Sequence, residues 1–203
     1  MKITAIKQQA KRTDRYSIFV EGKYAFSLSE AALLEQKLAG GQELSKVQLR
    51  EFKKLSSGDK LYNQTLRYVA LRLRSRWEIE FYLLRRKGAS PALTEQILNK
   101  LSNIGLIDDL KLAQAFVNDR QLLRPTSRRK MIMELRKKHI EQAVIDEVVG
   151  QDSESEQTAL QAIVQRKRQQ PKYQDDLKLM QYLARQGFSY GDIKTALART
   201  EDE

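Results

Sequence analysis

The chain has 203 residues, and 37 Lys and Arg against 26 Asp and Glu give a formal net charge of +11. It contains no Cys and one His, which excludes a disulfide framework, a thiol nucleophile and a cysteine-ligated metal site. Only nine Gly and three Pro interrupt a composition rich in helix-forming residues. Because the sequence also lacks an apolar run long enough for a membrane helix and an apolar signal segment, we expect a basic, mainly helical, soluble cytoplasmic protein.

The N-terminal segment has the two-residue periodicity of β-strands. Alternate residues are apolar from Tyr16 to Val20 and again from Tyr24 to Leu28, and Gly22 lies between the two runs. This pattern predicts a β-hairpin, to which residues 3–6 offer a third strand. An isolated hairpin is marginal in water, so we expect it to pack on a helix.

Two helices are predicted after the hairpin. The segment from Ser29 predicts a helix that stops at Gly40 and Gly41, since glycine commonly ends helices. Ser45 followed by Gln48 fits a capping box and predicts another helix to about Leu55.

From about residue 60 onward, a three-helix pattern recurs roughly every 50 residues. The motif leucines lie 51 and 48 residues apart: Leu84, Leu135 and Leu183. The residue four positions later ends the helix in each copy: Gly88, His139 and Gly187. A longer helix precedes each motif, over about 61–74, 109–123 and 154–170.

A repeat of this length predicts stacked helical units that bury faces jointly. The predicted fold class is therefore mainly α, with three tandem three-helix repeats forming an elongated curved array after a small N-terminal β-hairpin and helix extension. The predicted division is an N-terminal part over 1–59 and repeats over 60–107, 108–150 and 151–203.

Residues that resemble catalytic groups have structural interpretations. His139 aligns with glycines, and His is enriched at positive φ, so we expect it to end a helix rather than to act in catalysis. Asp108-Asp109 and Asp175-Asp176 stand at predicted helix starts, where carboxylates cap N–H groups and complement the helix dipole.

Two apolar stripes are predicted to belong to the core, because stripes at helical spacing usually do. Their members are Trp77, Phe81 and Leu84, and Leu112, Phe116 and Leu123. Stacking of a nucleic-acid base on Trp77 is the alternative interpretation of the first stripe.

Clustered cations are the strongest functional signal. The candidate basic face comprises Arg72, Arg74, Arg76, Arg85, Arg86, Lys87, Arg128, Arg129, Lys130, Arg136, Lys137 and Lys138. Cations near a helix C-terminus are stabilising, which accounts for one or two residues per helix but not for six cations beside the single acid Glu134. We therefore expect a surface for a polyanion or an acidic partner, with the trios 85–87 and 136–138 at the same place in successive repeats.

Sequence motifs of common cofactor and catalytic sites are absent. There is no glycine-rich phosphate loop, no H-E-x-x-H, no G-x-S-x-G and no calcium loop. We expect no cofactor and no metal.

Three motifs carry a resemblance to a known family. The segment from Ala70 to Gly88 reads ALRLRSRWEIEFYLLRRKG, Gly105 to Arg120 reads GLIDDLKLAQAFVNDR, and Tyr182 to Phe188 reads YLARQGF. In this order and at this spacing, the chain resembles the RecX regulatory proteins, which modulate the bacterial recombinase RecA. The motif residues, expected to be structural, are Gly88, Gly105, Asp108, Asp109, Phe116, Arg120, Gly187 and Phe188.

The resemblance implies a regulator that is not an enzyme and needs no cofactor. It implies binding to RecA, mainly to its filament on single-stranded DNA, and inhibition of ATPase, strand-exchange and co-protease activities in DNA repair, homologous recombination and the SOS response. Direct DNA binding and a monomeric state are further expectations. The residues themselves leave two alternatives open, a sequence-independent nucleic-acid binder and a helical scaffold for another protein. A helix-turn-helix repressor is less favoured, because no helix stands out as a base reader.

Overall fold

The computed structural model describes residues 1–150 and 153–199, and over these residues the chain is mainly helical with one small antiparallel sheet. The strands are β1 (Ile3–Gln9), β2 (Arg12–Val20) and β3 (Lys23–Ser29), in the order β1-β2-β3. The predicted hairpin and its third strand are confirmed. Glu21 and Gly22 form the tight turn between β2 and β3, with φ values of 50° and 75°.

The two-residue periodicity identifies the buried face of the sheet. Ile18 pairs with Phe26 in the β2–β3 register, and both side chains are buried. Phe26 also stacks on Phe52 of α2 (Lys46–Ala70), with ring centroids 5.7 Å apart. The hairpin thus packs on a helix, as its marginal stability in isolation requires.

Both predicted helix ends in this region are wrong. The first helix, α1 (Glu30–Glu35), stops before Gly40, and Lys37 lies at positive φ. The capping box at Ser45 and Gln48 is confirmed, but its helix does not stop near Leu55. One helix, α2, runs through the segments predicted as separate helices over 45–55 and 61–74 and ends at Ala70.

Tertiary contacts explain why α2 continues through the weak helix formers Ser56 to Asp59. A Cβ on Gly58 would lie 3.3 Å from Cδ1 of Leu93, so glycine permits the close approach of α4 (Pro91–Asn103). Asp59 forms an ion pair with buried Arg15 of β2 at 2.7 Å. These contacts offset the low helix propensity of the segment.

The remaining helices follow the predicted three-helix pattern closely. They are α3 (Arg76–Phe81), continued by a π-helical turn (Tyr82–Arg86), α5 (Asp109–Leu122), α6 (Arg128–Lys137), α7 (Gln142–Val149), α8 (Ser153–Arg168), a 3-10 turn (Pro171–Tyr173), α9 (Asp176–Arg185) and α10 (Tyr190–Arg199). Ser90 caps α4, and Pro91 stands at its first position, where proline is favoured. His139 lies at φ 57°, between Gly88 at 65° and Gly187 at 97°, which confirms its predicted role as a helix terminator.

The π-helical turn changes the alignment of the first repeat. The fully buried leucine there is Leu83, not the predicted Leu84, and it corresponds to buried Leu135 and Leu183. The N–H of Ala89 donates to the carbonyl of Leu83, six residues earlier. In the second repeat, the corresponding bond runs from the N–H of Ile140 to the carbonyl of Leu135, only five residues earlier. The turn therefore inserts one residue, so the buried leucines of the first two repeats are 52 residues apart.

The chain forms two compact units. The first contains Met1–Leu73 and Ile79–Leu106, and the second contains Arg74–Glu78 and the described residues from Ile107 onward. The sheet residues Ile3, Ile18, Val20, Phe26 and Leu28 belong to one buried cluster of the first unit. In the second unit, separate clusters centre on Leu135 and on Leu183. The four-part division of the chain stays a prediction. Among the described residues, no helix combines the length and the apolar character that a membrane span requires.

Candidate interaction site

The twelve candidate cations differ in the contacts that they make. Arg85, Arg86, Arg129 and Lys137 are exposed and make no hydrogen bond or ion pair with their side chains to a described residue. Arg85 and Arg86 belong to the first unit, and Arg129 and Lys137 belong to the second. We call these four the unpaired cations, because no described residue forms an ion pair or a hydrogen bond with their side chains.

Other predicted cations take part in the fold. Arg128 donates from Nε to the carbonyl of Gly150 at 2.6 Å, and Lys130 donates to Oε1 of Gln186 at 2.6 Å. Lys138 pairs with Glu78 at 3.6 Å. Side-chain contacts also join Arg72 to the carbonyl of Leu73, Lys87 to the ring of Tyr82 and Arg136 to Oε1 of Gln142. Arg74 and Arg76 are half-buried.

The trio from Arg128 to Lys130 occupies the first turn of α6, which Ser127 caps and which contains no acid. A helix N-terminus carries partial positive charge, so cations there are unfavourable by the same few tenths to one kcal/mol that they contribute at a C-terminus. Helix stabilisation therefore does not explain Arg129, which is exposed.

The first predicted core stripe is largely a surface stripe. Trp77 is 37% exposed and Phe81 44%, because Ile79 and Leu83 are the residues of this segment that point into the core. Of the second stripe, Leu112 is buried and Leu123 is 71% exposed.

The same exposed stripe recurs on α6. Arg129, Met133 and Lys137 lie four residues apart, and Met133 is 49% exposed. Residues at this spacing share one helix face, so an apolar side chain lies between two unpaired cations on α6. Such a mixed face can bind phosphates or carboxylates while covering apolar surface.

His139 also contacts a segment outside its own repeat. Its ring stacks on Trp77 with centroids 4.0 Å apart and an angle of 16° between the planes. Ser75 and Glu78 form a capping box beside this stack, and the carboxylate of Glu78 forms an ion pair with Lys138. We call this set the first loop contact.

A second loop contact joins the corresponding positions one repeat later. Ser127 caps α6 through Lys130 and donates from Oγ to the carbonyl of Gln186 at 2.5 Å. A Cβ on Gly187 would lie 2.7 Å from that Oγ. Ser127, Lys130, Gln186 and Gly187 thus correspond to Ser75, Glu78, Lys138 and His139 of the first loop contact. The sequence indicated that Gly187 and His139 are equivalent but not what they touch.

The adjacent aspartates have separate structural roles. Asp108 caps α5 by accepting from the N–H of Lys111 at 2.8 Å, and Asp175 caps α9 through Lys178. Asp109 instead accepts from the backbone N–H of Arg76 at 2.9 Å. Burial raises the pKa of Asp109 above its ordinary value of 3.8, and the hydrogen bond from Arg76 opposes this effect.

The other family-motif residues also make intramolecular contacts. Arg120 pairs with Glu134 at 3.0 Å, and its guanidinium lies 4.6 Å from the ring centroid of Phe116. Phe188 is buried, and Gly105 lies at φ 71° after α4. These contacts give each residue a structural explanation.

Sequence reasoning missed a buried polar network in the first unit. Arg15 is 5% exposed and donates to Asp59 of α2 and to Oγ and the carbonyl of Ser27. Asp59 also accepts from the N–H of Ser29 at 2.8 Å. The signal was present only as an Arg within an alternating strand, which does not identify a partner 44 residues away.

This fold and these surfaces define a class, a tandem helical-repeat protein with unpaired cations on its second helices. Three family models match the chain: the regulatory protein RecX N-terminal domain over residues 1–45, the second RecX three-helix domain over 108–149 and the third over 154–197. Together they cover more than half of the sequence.

Comparisons with individual relatives and solved structures agree with these matches. The chain is 27% identical to regulatory protein RecX of Bacillus subtilis, over 99% of this chain and 78% of the relative. It is 29% identical to regulatory protein RecX of Listeria monocytogenes, over 100% of this chain and 77% of the relative. A crystal structure of regulatory protein RecX covers 100% of this chain, which covers 99% of that one, with 28% identity and a TM-score of 0.75. RecX from Lactobacillus salivarius shares the fold, with a TM-score of 0.61 at 23% identity over 72% of this chain and 97% of that one. The chain belongs to the RecX family of regulatory proteins.

Proposed function

We propose that this protein binds the RecA recombinase, mainly as its filament on single-stranded DNA, and lowers the ATPase, strand-exchange and co-protease activities of the filament. In this proposal it works in the cytoplasm as a monomer, in DNA repair, homologous recombination and the SOS response. It needs no cofactor and catalyses no reaction of its own. Membership of the RecX family supports the proposal.

The unpaired cations are the physical observation that carries the proposal. Arg85, Arg86, Arg129 and Lys137 are exposed and have no partner among the described residues. A RecA filament on DNA presents phosphates and acidic side chains, and both attract such cations. Binding at the filament's helical groove would oppose the relative movement of subunits that ATP turnover requires.

The test measures ATP hydrolysis and strand exchange by RecA filaments on single-stranded DNA with increasing amounts of this protein. We expect both activities to fall as the protein saturates the filament. A variant with Arg85→Glu, Arg86→Glu, Arg129→Glu and Lys137→Glu should need at least about tenfold more protein for the same inhibition, since losing a few ion pairs costs more than 1.4 kcal/mol.

A matched control uses exposed lysines elsewhere. Lys53 of α2 and Lys194 of α10 are exposed and make no side-chain contact with a described residue. Lys53→Glu with Lys194→Glu should leave inhibition nearly unchanged. Unaltered RecA activities at excess wild-type protein would contradict the proposal.

The basic clusters also support a second function, sequence-independent binding of single-stranded nucleic acid. That function predicts an affinity that falls with salt at a slope of about −0.7 per neutralised phosphate. It further predicts that RecA matters only as a competitor for DNA. If the four reversals abolish DNA binding but spare RecA inhibition, the unpaired cations serve DNA and not the recombinase.

A further inference from the structure

A large groove in the first unit has none of the unpaired cations in its lining. It has a volume of about 790 Å³ and is lined by α1, α2 and α4. Its apolar lining includes Leu55, Tyr62 and Leu66 of α2, Ala31 of α1 and Leu93 of α4. This volume lies within the range of about 300–1,000 Å³ that is typical of ligand sites.

The lining of the groove is acidic, whereas the segment 1–60 that supplies most of it is basic. Residues 1–60 contain twelve cations and seven acids. Five of these seven acids line the groove, but only Lys54 of the twelve cations does: the acids are Asp14, Glu30, Glu35, Glu51 and Asp59. Lys100 of α4 is a further lining cation, Arg15 neutralises Asp59, and Arg67 of α2 pairs with Asp14 at 3.4 Å. The groove is therefore locally acidic within a basic part of the chain.

The fold does not account for two of these acids. Glu35 ends α1, where a carboxylate is unfavourable because the C-terminal end of a helix carries partial negative charge. Glu51 lies on α2. Both are exposed, and neither makes a hydrogen bond or ion pair to a described residue. Their negative charge is available to a partner.

We propose that this groove docks a cationic amphipathic helix of a partner protein. The apolar stripe of such a helix would cover Leu55, Leu66 and Leu93, and its flanking Lys or Arg side chains would pair with Glu35 and Glu51. The groove is lined mostly by residues of helices, which present no open strand edge to a bound peptide. A bound peptide must therefore satisfy its own backbone, which favours a helix over an extended strand.

The probe is a fluorescently labelled Leu-Ala-Lys peptide of about 18 residues, roughly five helical turns, with one leucine stripe and flanking lysines. Its affinity for the full chain is measured by fluorescence anisotropy. We expect saturable binding to one site, and no binding by the same peptide with Glu in place of every Lys.

Two groove variants test the location of this site. Glu35→Lys with Glu51→Lys should weaken binding by at least about tenfold, the effect of roughly 1.4 kcal/mol. Ala31→Trp should fill the groove and abolish binding, because Ala31 is exposed there and has room for a larger side chain. Glu43→Lys is the matched control, since Glu43 is an exposed acid outside the groove, and it should bind the peptide as the wild type does.

Three outcomes would overturn the proposal. Equal binding of the acidic peptide would show that charge does not select the occupant. Equal affinity of the groove variants and the control would place the peptide elsewhere. Self-association that Ala31→Trp abolishes would make a second copy of the chain the occupant. Since none of these variants touches the unpaired cations, the result is independent of the proposed inhibition of RecA.

Discussion

The two loop contacts of the second unit join equivalent backbone positions by different means. In the first, His139 supplies the left-handed residue and its ring stacks on Trp77. In the second, Gly187 supplies it, and the absent side chain leaves space for Oγ of Ser127. One backbone requirement is thus met either by an added side-chain contact or by close packing that tolerates no side chain.

The largest expected effect is that of Gly187→Ala. A Cβ there would lie 2.7 Å from Oγ of Ser127, which is buried and bonded to Gln186, and alanine is strained at φ 97°. We expect the free energy of unfolding to fall by about 2–4 kcal/mol. Chemical denaturation measures it. Gly88→Ala is the matched control, because Gly88 also has positive φ but nothing within 4 Å of the added atom. Equal losses in both variants would mean that close packing adds nothing at Gly187.

Ser127→Ala should have the next largest effect. It removes the cap of α6 and leaves the carbonyl of Gln186 without its donor, so we expect a loss of about 1–3 kcal/mol. Ser75→Ala in the first loop contact removes the cap of the corresponding helix and should cost about 1 kcal/mol. Denaturation of the two variants under the same conditions checks this order, and a larger loss from Ser75→Ala would reverse the comparison.

His139→Gly should change stability little. Glycine relieves the strain of positive φ by about 1 kcal/mol, and loss of the stack on Trp77 costs about 0.5–1.5 kcal/mol, so the two nearly cancel. Because Trp77 is the one tryptophan of the chain, its fluorescence reports the loss directly. Unchanged emission would contradict the stacked arrangement, whereas a stability loss above about 2 kcal/mol would mean that the stack outweighs the strain.

The smallest effect concerns Asp109, which accepts from the N–H of Arg76 at the edge of the first loop contact. Its raised pKa means that the folded state holds a proton more tightly than the unfolded state. The contribution of Asp109 to the free energy of unfolding therefore increases as the pH falls through its folded pKa toward 3.8. Above the folded pKa, the charged carboxylate bears the whole desolvation cost of its burial.

Asp109→Asn keeps the acceptor and should remove this dependence while changing stability at neutral pH by less than about 1 kcal/mol. Burial also raises the pKa of Glu156, with the same sign. The difference between variant and wild type across pH 3.5–6, measured by denaturation at a series of pH values, therefore isolates Asp109. A difference that does not vary with pH would contradict the role of burial.

Much of the fold could be predicted because its signals are local. Alternation identified the hairpin, and capping residues located the starts of α2 and α5. The periodic Leu-to-terminator motif revealed the repeats and the positive φ of His139. Of the candidate site, the sequence could show that cations cluster, since composition alone carries that information.

Contacts between distant segments decided the rest. A helix continues through Gly58 and Asp59 because Leu93 and Arg15 reach them, which no local propensity records. The buried leucine at the π-helical turn is Leu83 rather than Leu84, and the predicted core residues Trp77 and Phe81 are exposed. The sequence by itself determined which residue types recur and at what period. Only the tertiary structure decided which cations pair with other residues of the chain, because burial and partners depend on residues far apart in sequence.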